Sequence, residues 1–214
     1  MAKKTEKTVV VSTSDLPVTF LVTSAFKGHL ENLEIPETDL FVMTHMEHTS
    51  YGKGTRTIDE LTEGAVHKAI QANGFTGKAG EYLLVHLPDF PFKHVLLVGL
   101  GKSGDVGRTT VCSLYRMIID TAARIKAKKV TIPFFPGLLI DDVNYKGLLA
   151  VLHCRISERL RSGRLGELKE IEILGSSQAR RHIIEGLKVD KQLCPVCRDP
   201  HFTSSVARVQ PRLI

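Results

Sequence analysis

The sequence predicts an α/β domain of three layers, α/β/α, built on a central mixed, mostly parallel sheet of about six strands. Two observations carry this. Short β-branched and aromatic runs alternate along the chain with segments of helical periodicity, the order that stacks strands side by side and lays helices on both faces through right-handed crossovers. In addition, 43% hydrophobic content in 214 residues, with mean hydropathy near zero, is enough for one substantial core and little more.

Pro17 to Thr23 (PVTFLVT) and Asp39 to Thr44 (DLFVMT) suit buried strands. Thr57-Ile-Asp-Glu60 has capping-box spacing, so a helix is expected to start there. Its apolar face is Ile58, Leu61, Ala65, Val66, Ala69 and Ile70, and Gly74 offers the left-handed residue that ends it. Glu81 to Leu87 and Lys93 to Val98 read as neighbouring strands, separated by Pro88-Asp-Phe-Pro91, whose prolines cannot sit inside a sheet ladder.

From Thr110 to Lys126 apolar residues recur at helical intervals, and the basic run Lys126 to Lys129 suits the negative end of that helix. Val130 to Phe135 is the next strand. Tyr145 to Arg161 is a helix with an inner stripe of Leu148, Leu152, Ile156 and Leu160. In Leu168 to Leu174 apolar and charged residues alternate, which predicts a strand with one face or edge partly wet. Ser176 or Ser177 then caps a helix running to about Leu187. The organisation expected is a polar segment over residues 1–16, a domain over 17–187, and a Pro-, Arg- and Ser-rich tail over 188–214 carrying a Cys-x-x-Cys pair.

No apolar run approaches the ~20 residues of a bilayer span, and MAKKTEKT is not a secretory leader, so a cytoplasmic protein without membrane contact is expected. Four cysteines do not make a disulfide scaffold, and Cys112 and Cys154 fall in apolar helical patterns. The formal charge of +6 favours polyanions only weakly. Arg155, Arg159, Arg161, Arg164, Arg180 and Arg181 offer a basic surface, but with few aromatics among them a nucleic-acid partner is not the favoured reading.

The stretch GFTGKAGEYLLVHLPDFPFKHVLLVGLGK, Gly74 to Lys102, resembles the middle of the amino-terminal domain of the leucyl aminopeptidase family, and the likeness continues more weakly to Lys126. A broader similarity of element order, over about Pro17 to Leu187, is to macro domains. The two agree, because the aminopeptidase amino-terminal domain itself has a macro-like fold. The family's catalytic metal signature, an Asn-Thr-Asp-Ala-Glu-Gly-Arg run with an upstream Lys and Asp, occurs nowhere in the 214 residues. The resemblance therefore implies an accessory, ligand-binding or assembly domain without peptidase activity, acting as a homo-oligomer or with a partner protein.

Macro domains bind ADP-ribose at the carboxyl ends of their strands, which makes an anionic or nucleotide-like small molecule the implied ligand. This chain departs from the macro pattern in each loop. Lys27-Gly28-His29 stands where an acidic residue is usual, Met43 to Gly54 replaces an Asn-rich turn and its glycine run, and Phe134 to Asp142 keeps one glycine, Gly137, while adding two carboxylates. Those carboxylates repel a diphosphate unless a cation intervenes.

The candidate ligand-binding residues are His45, His48, Gly52, Lys53, Gly54 and Arg56 after the second strand, Gly99, Gly101 and Lys102 in Gly99-Leu-Gly-Lys-Ser-Gly104, and Gly137. The Gly99 to Gly104 run matches G-x-G-x-x-G, but helical periodicity begins only near Thr110 and no acidic residue lies at dinucleotide spacing, which favours a structural turn. Asp141 and Asp142 are the candidates for activating water in a hydrolase of ADP-ribose derivatives, against a helix-capping role shared with Asn144. Cys194-Pro-Val-Cys197 with His201 has half the ligands of a zinc knuckle, and zinc is the cofactor that the tail suggests.

Overall fold

The computed structural model describes residues 8–24, 37–133 and 145–188. Seven strands form one sheet in the order β1-β2-β7-β6-β3-β5-β4. They are β1 Val9–Ser12, β2 Thr19–Ser24, β3 Thr38–His45, β4 Tyr82–His86, β5 Phe92–Gly99, β6 Lys129–Pro133 and β7 Glu170–Gly175. The five inner strands β2, β7, β6, β3 and β5 run parallel, and the edge strands β1 and β4 are antiparallel to their neighbours.

Side-chain alternation sorts the sheet into two faces. Phe20, Val22, Leu40, Val42, Leu96, Val98, Val130, Ile132, Ile171 and Ile173 join the larger core. Over it lie α3 Arg108–Arg124, α4 Tyr145–Arg161 and α5 Ser177–Leu187. Phe41, Met43, Val95 and Leu97 point the other way, into a smaller core with Phe75 and with Ile58, Val66 and Ile70. Those last three belong to α1 Lys53–Leu61 and α2 Ala65–Asn73. The result is the expected three-layer α/β/α arrangement.

The number of strands differs from the expected six because β1 comes from VVVS, a run too short after a charged leader to read as a strand. Its pairing with β2 and the burial of Val11 and Leu16 carry the described domain ahead of Pro17. The helix expected from Thr57 begins at Lys53 with Gly52 as its N-cap. It also breaks in two, because Glu63 and Gly64 take left-handed φ values of 52° and 78°. That turn swings Leu61 outward to 46% exposure while Ile58 stays buried. Gly74 ends α2 in the left-handed region as expected, with φ of 62°.

β7 is not wet. It lies between β2 and β6, and Glu172 is buried: Lys129 Nζ sits 2.9 Å from one carboxylate oxygen and Thr23 Oγ1 donates to the other at 2.7 Å. A charged residue inside a sheet is tolerable when it is paired in this way. Leu160, expected on the inner stripe of α4, is 38% exposed, whereas Leu148, Leu152 and Ile156 are buried. Ser176 caps α5 by accepting the Ala179 amide at 3.1 Å. At the amino end of the parallel strands, Asp39 accepts the Lys128 and Lys129 amides at 2.8 and 3.1 Å and the Lys93 ammonium at 2.9 Å. Burial pushes its carboxyl group up, but Lys93 and the two amides outweigh that and hold it below the usual carboxylate range.

Candidate functional site

Parallel strands put their carboxyl ends on one edge, here Ser24, Gly175, Pro133, His45 and Gly99. β3 and β6 are adjacent, yet the chain leaves them in opposite directions: from β3 through α1 and α2 toward β4 and β5, and from β6 through α4 toward β7. Open α/β sheets bind ligands in the crevice that such a divergence opens. The β3 side of this crevice is described by residues 45–56. Gly137, Asp141 and Asp142, expected on the β6 side, lie outside the described residues, as do Cys194, Cys197 and His201. Among the described residues no group of three or more His, Cys, Asp or Glu is placed to hold a metal ion.

The wall at β3 rests on close backbone contact. A Cβ on Gly99 would lie 2.0 Å from the Lys78 carbonyl oxygen, and one on Gly101, whose φ is +79°, would lie 2.9 Å from Ala79 Cβ. The space these glycines leave is thus filled by residues 77–79. Their amides are engaged as well, Gly99 N donating to Glu81 O at 2.7 Å and Gly101 N to Gly77 O at 2.9 Å. The Gly77 loop is held by the Glu81 carboxylate, which accepts from Thr76 N, Thr76 Oγ1 and Lys78 N at 2.9, 3.1 and 3.0 Å. Gly99 to Gly104 is accordingly a structural turn at its first two glycines, followed by a single 3-10 turn, Ser103–Asp105, before α3 begins at Arg108. Lys102 is exposed beside it.

His45 closes β3 directly above that interlock. It is 8% exposed and stacks on Tyr51 at 4.4 Å between ring centroids and 27° between planes. Burial lowers the His45 pKa against the weaker opposing pull of Glu81, so its imidazole is held neutral at neutral pH. Burial also raises the Tyr51 pKa, with Glu81 adding to the effect. Tyr51 meets His67 edge-on at 6.3 Å and 87°. These aromatic rings lead into a small open cleft between α1 and α2, where Thr55, Arg56 and Asp59 join Tyr51 and His67 as its polar lining.

The remaining candidates sit around this wall. His48 is exposed with a left-handed φ of 59° and lies 3.3 Å from the Glu47 carboxylate. Gly52 is exposed, with nothing within 4 Å of where a Cβ would stand. Lys53 and Gly54 open α1, and Arg56 is exposed one turn in. Thr55, Asp59, His67 and Glu81 are the contributors that residue patterns did not single out. His67 is separated from Tyr51 by the Glu63-Gly64 break, which local periodicity does not show, whereas Glu81 was visible inside the GFTGKAGE motif itself.

The arginines of α4 and α5 are substantially spent on neighbours. Arg155 bonds Glu158 and Cys112 Sγ, Arg159 bonds Asp120 of α3, and Arg181 bonds Glu185. Arg161 donates to the Ser157 carbonyl at 3.3 Å.

The fold and its crevice define a macrodomain-like α/β domain, and solved structures agree. The Oceanobacillus iheyensis macrodomain with ADP superposes with a TM-score of 0.58 at 11% identity, covering 84% of this chain and 93% of that one. A mutant tomato leucine aminopeptidase superposes with a TM-score of 0.53 at 17% identity, covering 81% of this chain but 36% of its own.

Within that fold, residues 41–143 match the model of the cytosol aminopeptidase family, N-terminal domain. A probable cytosol aminopeptidase of Pseudomonas fluorescens (strain Pf0-1) is 33% identical over 89 residues, 41% of this chain and 18% of the relative. One from Thermosynechococcus vestitus is 38% identical over 73 residues, 34% of this chain and 15% of the relative. The chain thus spans about a fifth of the length of these relatives, and its similarity is to their N-terminal domain. No helix among the described residues is long and apolar enough to cross a membrane.

Proposed function

We propose that this is a non-peptidase accessory domain that binds an anionic, nucleotide-like small molecule of the ADP-ribose type at the crevice between β3 and β6. The observation that carries the proposal is the opening of α1 at that crevice. Its N-cap is Gly52, which contributes no side-chain cap, and its first turn holds no acidic residue. The first-turn amides of α1 therefore have no side-chain acceptor at the cap, and Arg56 follows one turn in, an arrangement that favours a phosphate. The exposed Gly52 lets such a group approach the backbone, and the half-buried Tyr51 ring, stacked on the buried His45, lies beside it.

Structural likeness to macrodomains solved with ADP, from Oceanobacillus iheyensis and Trypanosoma brucei, supports the choice of ligand class. The departures in the loops predict affinity weaker than a full glycine-rich phosphate cradle supplies. Calorimetric titration with ADP-ribose is expected to show one site, weakened about tenfold by Arg56→Ala, the size of a lost charge-assisted hydrogen bond. Absence of any heat or thermal shift at millimolar ADP-ribose and ADP would overturn the reading. So would release of leucine from a leucyl reporter by the purified chain, because it would make the chain a peptidase.

A further inference from the structure

At the far end of β5 from the crevice, His86 of β4 and His94 of β5 face each other across the antiparallel pair. The neighbouring Leu87 N to Lys93 O bond of 2.7 Å makes the 86/94 position a non-hydrogen-bonded pair, the kind that brings side chains closest. His86 Nδ1 and His94 Nε2 are 3.0 Å apart. The ring centroids are 4.7 Å apart with planes inclined at 42°. Beneath them, His94 Nδ1 lies 3.2 Å from the Asp39 carbonyl oxygen.

A carbonyl only accepts, so His94 carries its proton on Nδ1 and presents the lone pair of Nε2 to His86. A backbone carbonyl that fixes the tautomer and ring orientation of a histidine in this way is the usual outer partner of a metal-ligating imidazole. We propose that His86 Nδ1 and His94 Nε2 form a two-point chelate for a divalent transition-metal ion, with water completing its coordination.

The spacing selects the class of metal. At metal–nitrogen distances of about 2.0–2.1 Å, two nitrogens 3.0 Å apart subtend about 91–97° at the ion. That is the cis angle of tetragonal and octahedral sites, favouring Ni²⁺ or Cu²⁺ over a tetrahedral zinc centre. Binding replaces the His86–His94 hydrogen bond: the proton on His86 Nδ1 moves to Nε2 of the same ring and frees Nδ1 for the metal. The Lys93 ammonium is paired with the Asp39 carboxylate at 2.9 Å, which offsets its repulsion of a cation. Both ligands stand on strands of the sheet, so little order is lost on binding.

The test is Ni²⁺ titration of the tag-free full chain, of His86→Asn, of His94→Asn, and of a variant with Cys194→Ser, Cys197→Ser and His201→Asn. One site that survives the tail substitutions and weakens at least tenfold in each histidine variant is the expected result. Unchanged affinity in both histidine variants, or loss of all binding with the tail substitutions, would overturn it. Paramagnetic broadening of the unsubstituted chain's amide resonances by Ni²⁺ gives a second readout that does not depend on the variants folding. Broadening centred on residues 84–88 and 92–96 supports the chelate. Broadening centred on the tail, or on His45 and His67, refutes it.

Discussion

His45 shows how one side chain can be fixed by what lies under it. Its ring is stacked on Tyr51, and a Cβ on Gly77 would meet it at 2.8 Å, so that glycine makes room for the imidazole. Because burial depresses its pKa below 6.5, the unfolded chain takes up this proton more readily than the native one. The stabilisation that follows is complete above the ordinary histidine value and declines as pH falls through 6.5 toward the lower folded value. His94, depressed by burial in the same direction, adds to the trend. Urea unfolding between pH 8 and about pH 5 is therefore expected to show stability falling on the acid side, with a shallower fall in His45→Asn. An unchanged slope in that variant would mean that His45 is not held neutral by its surroundings. Position 45 was legible as a site candidate because it ends a strand, but its burial was not, since the glycine that admits it lies 32 residues further on.

Between elements, the interlock of residues 77–81 with 99–101 joins the two motifs that carry the aminopeptidase likeness. GFTGKAGE and VLLVGLGK are thus two sides of one contact: glycines on each side permit backbone approach, and Glu81 ties the first loop. Gly99→Ala would force its Cβ against the Lys78 carbonyl at 2.0 Å, and we expect a loss of about 3 kcal/mol in denaturant unfolding, the upper range of overpacking. A loss below ~0.5 kcal/mol, the range of an unconstrained surface position, would show that the two loops are not locked together.

Most elements were readable because period and punctuation agree locally, as in α4 and in the β4–β5 pair. The beginning of α1 was not, since the Thr57 to Glu60 spacing fits a helix interior as well as a helix start. The break before α2 was hidden for a related reason. It rests on Glu63 in the left-handed region, where a glutamate gives no local signal.

At the scale of the whole molecule, strand order does what no single motif does: it places the loop after β3 and the end of β6 on one crevice while sending their helices to opposite faces. The three layers could be foreseen from alternation of strand and helix, whereas the order β1-β2-β7-β6-β3-β5-β4 arises from non-local pairing and could enter only through family likeness. The arginine surface illustrates the same limit in one pair: Arg155–Glu158 and Arg181–Glu185 are local i,i+3 and i,i+4 pairs, whereas Arg159 meets Asp120 only once α4 packs on α3.

The proposed function requires this crevice to take a nucleotide-like anion. Backbone amide mapping of the full chain during ADP-ribose titration checks this: perturbation concentrated at residues 45–56 is expected, and a saturated titration that leaves those residues unmoved would refute it.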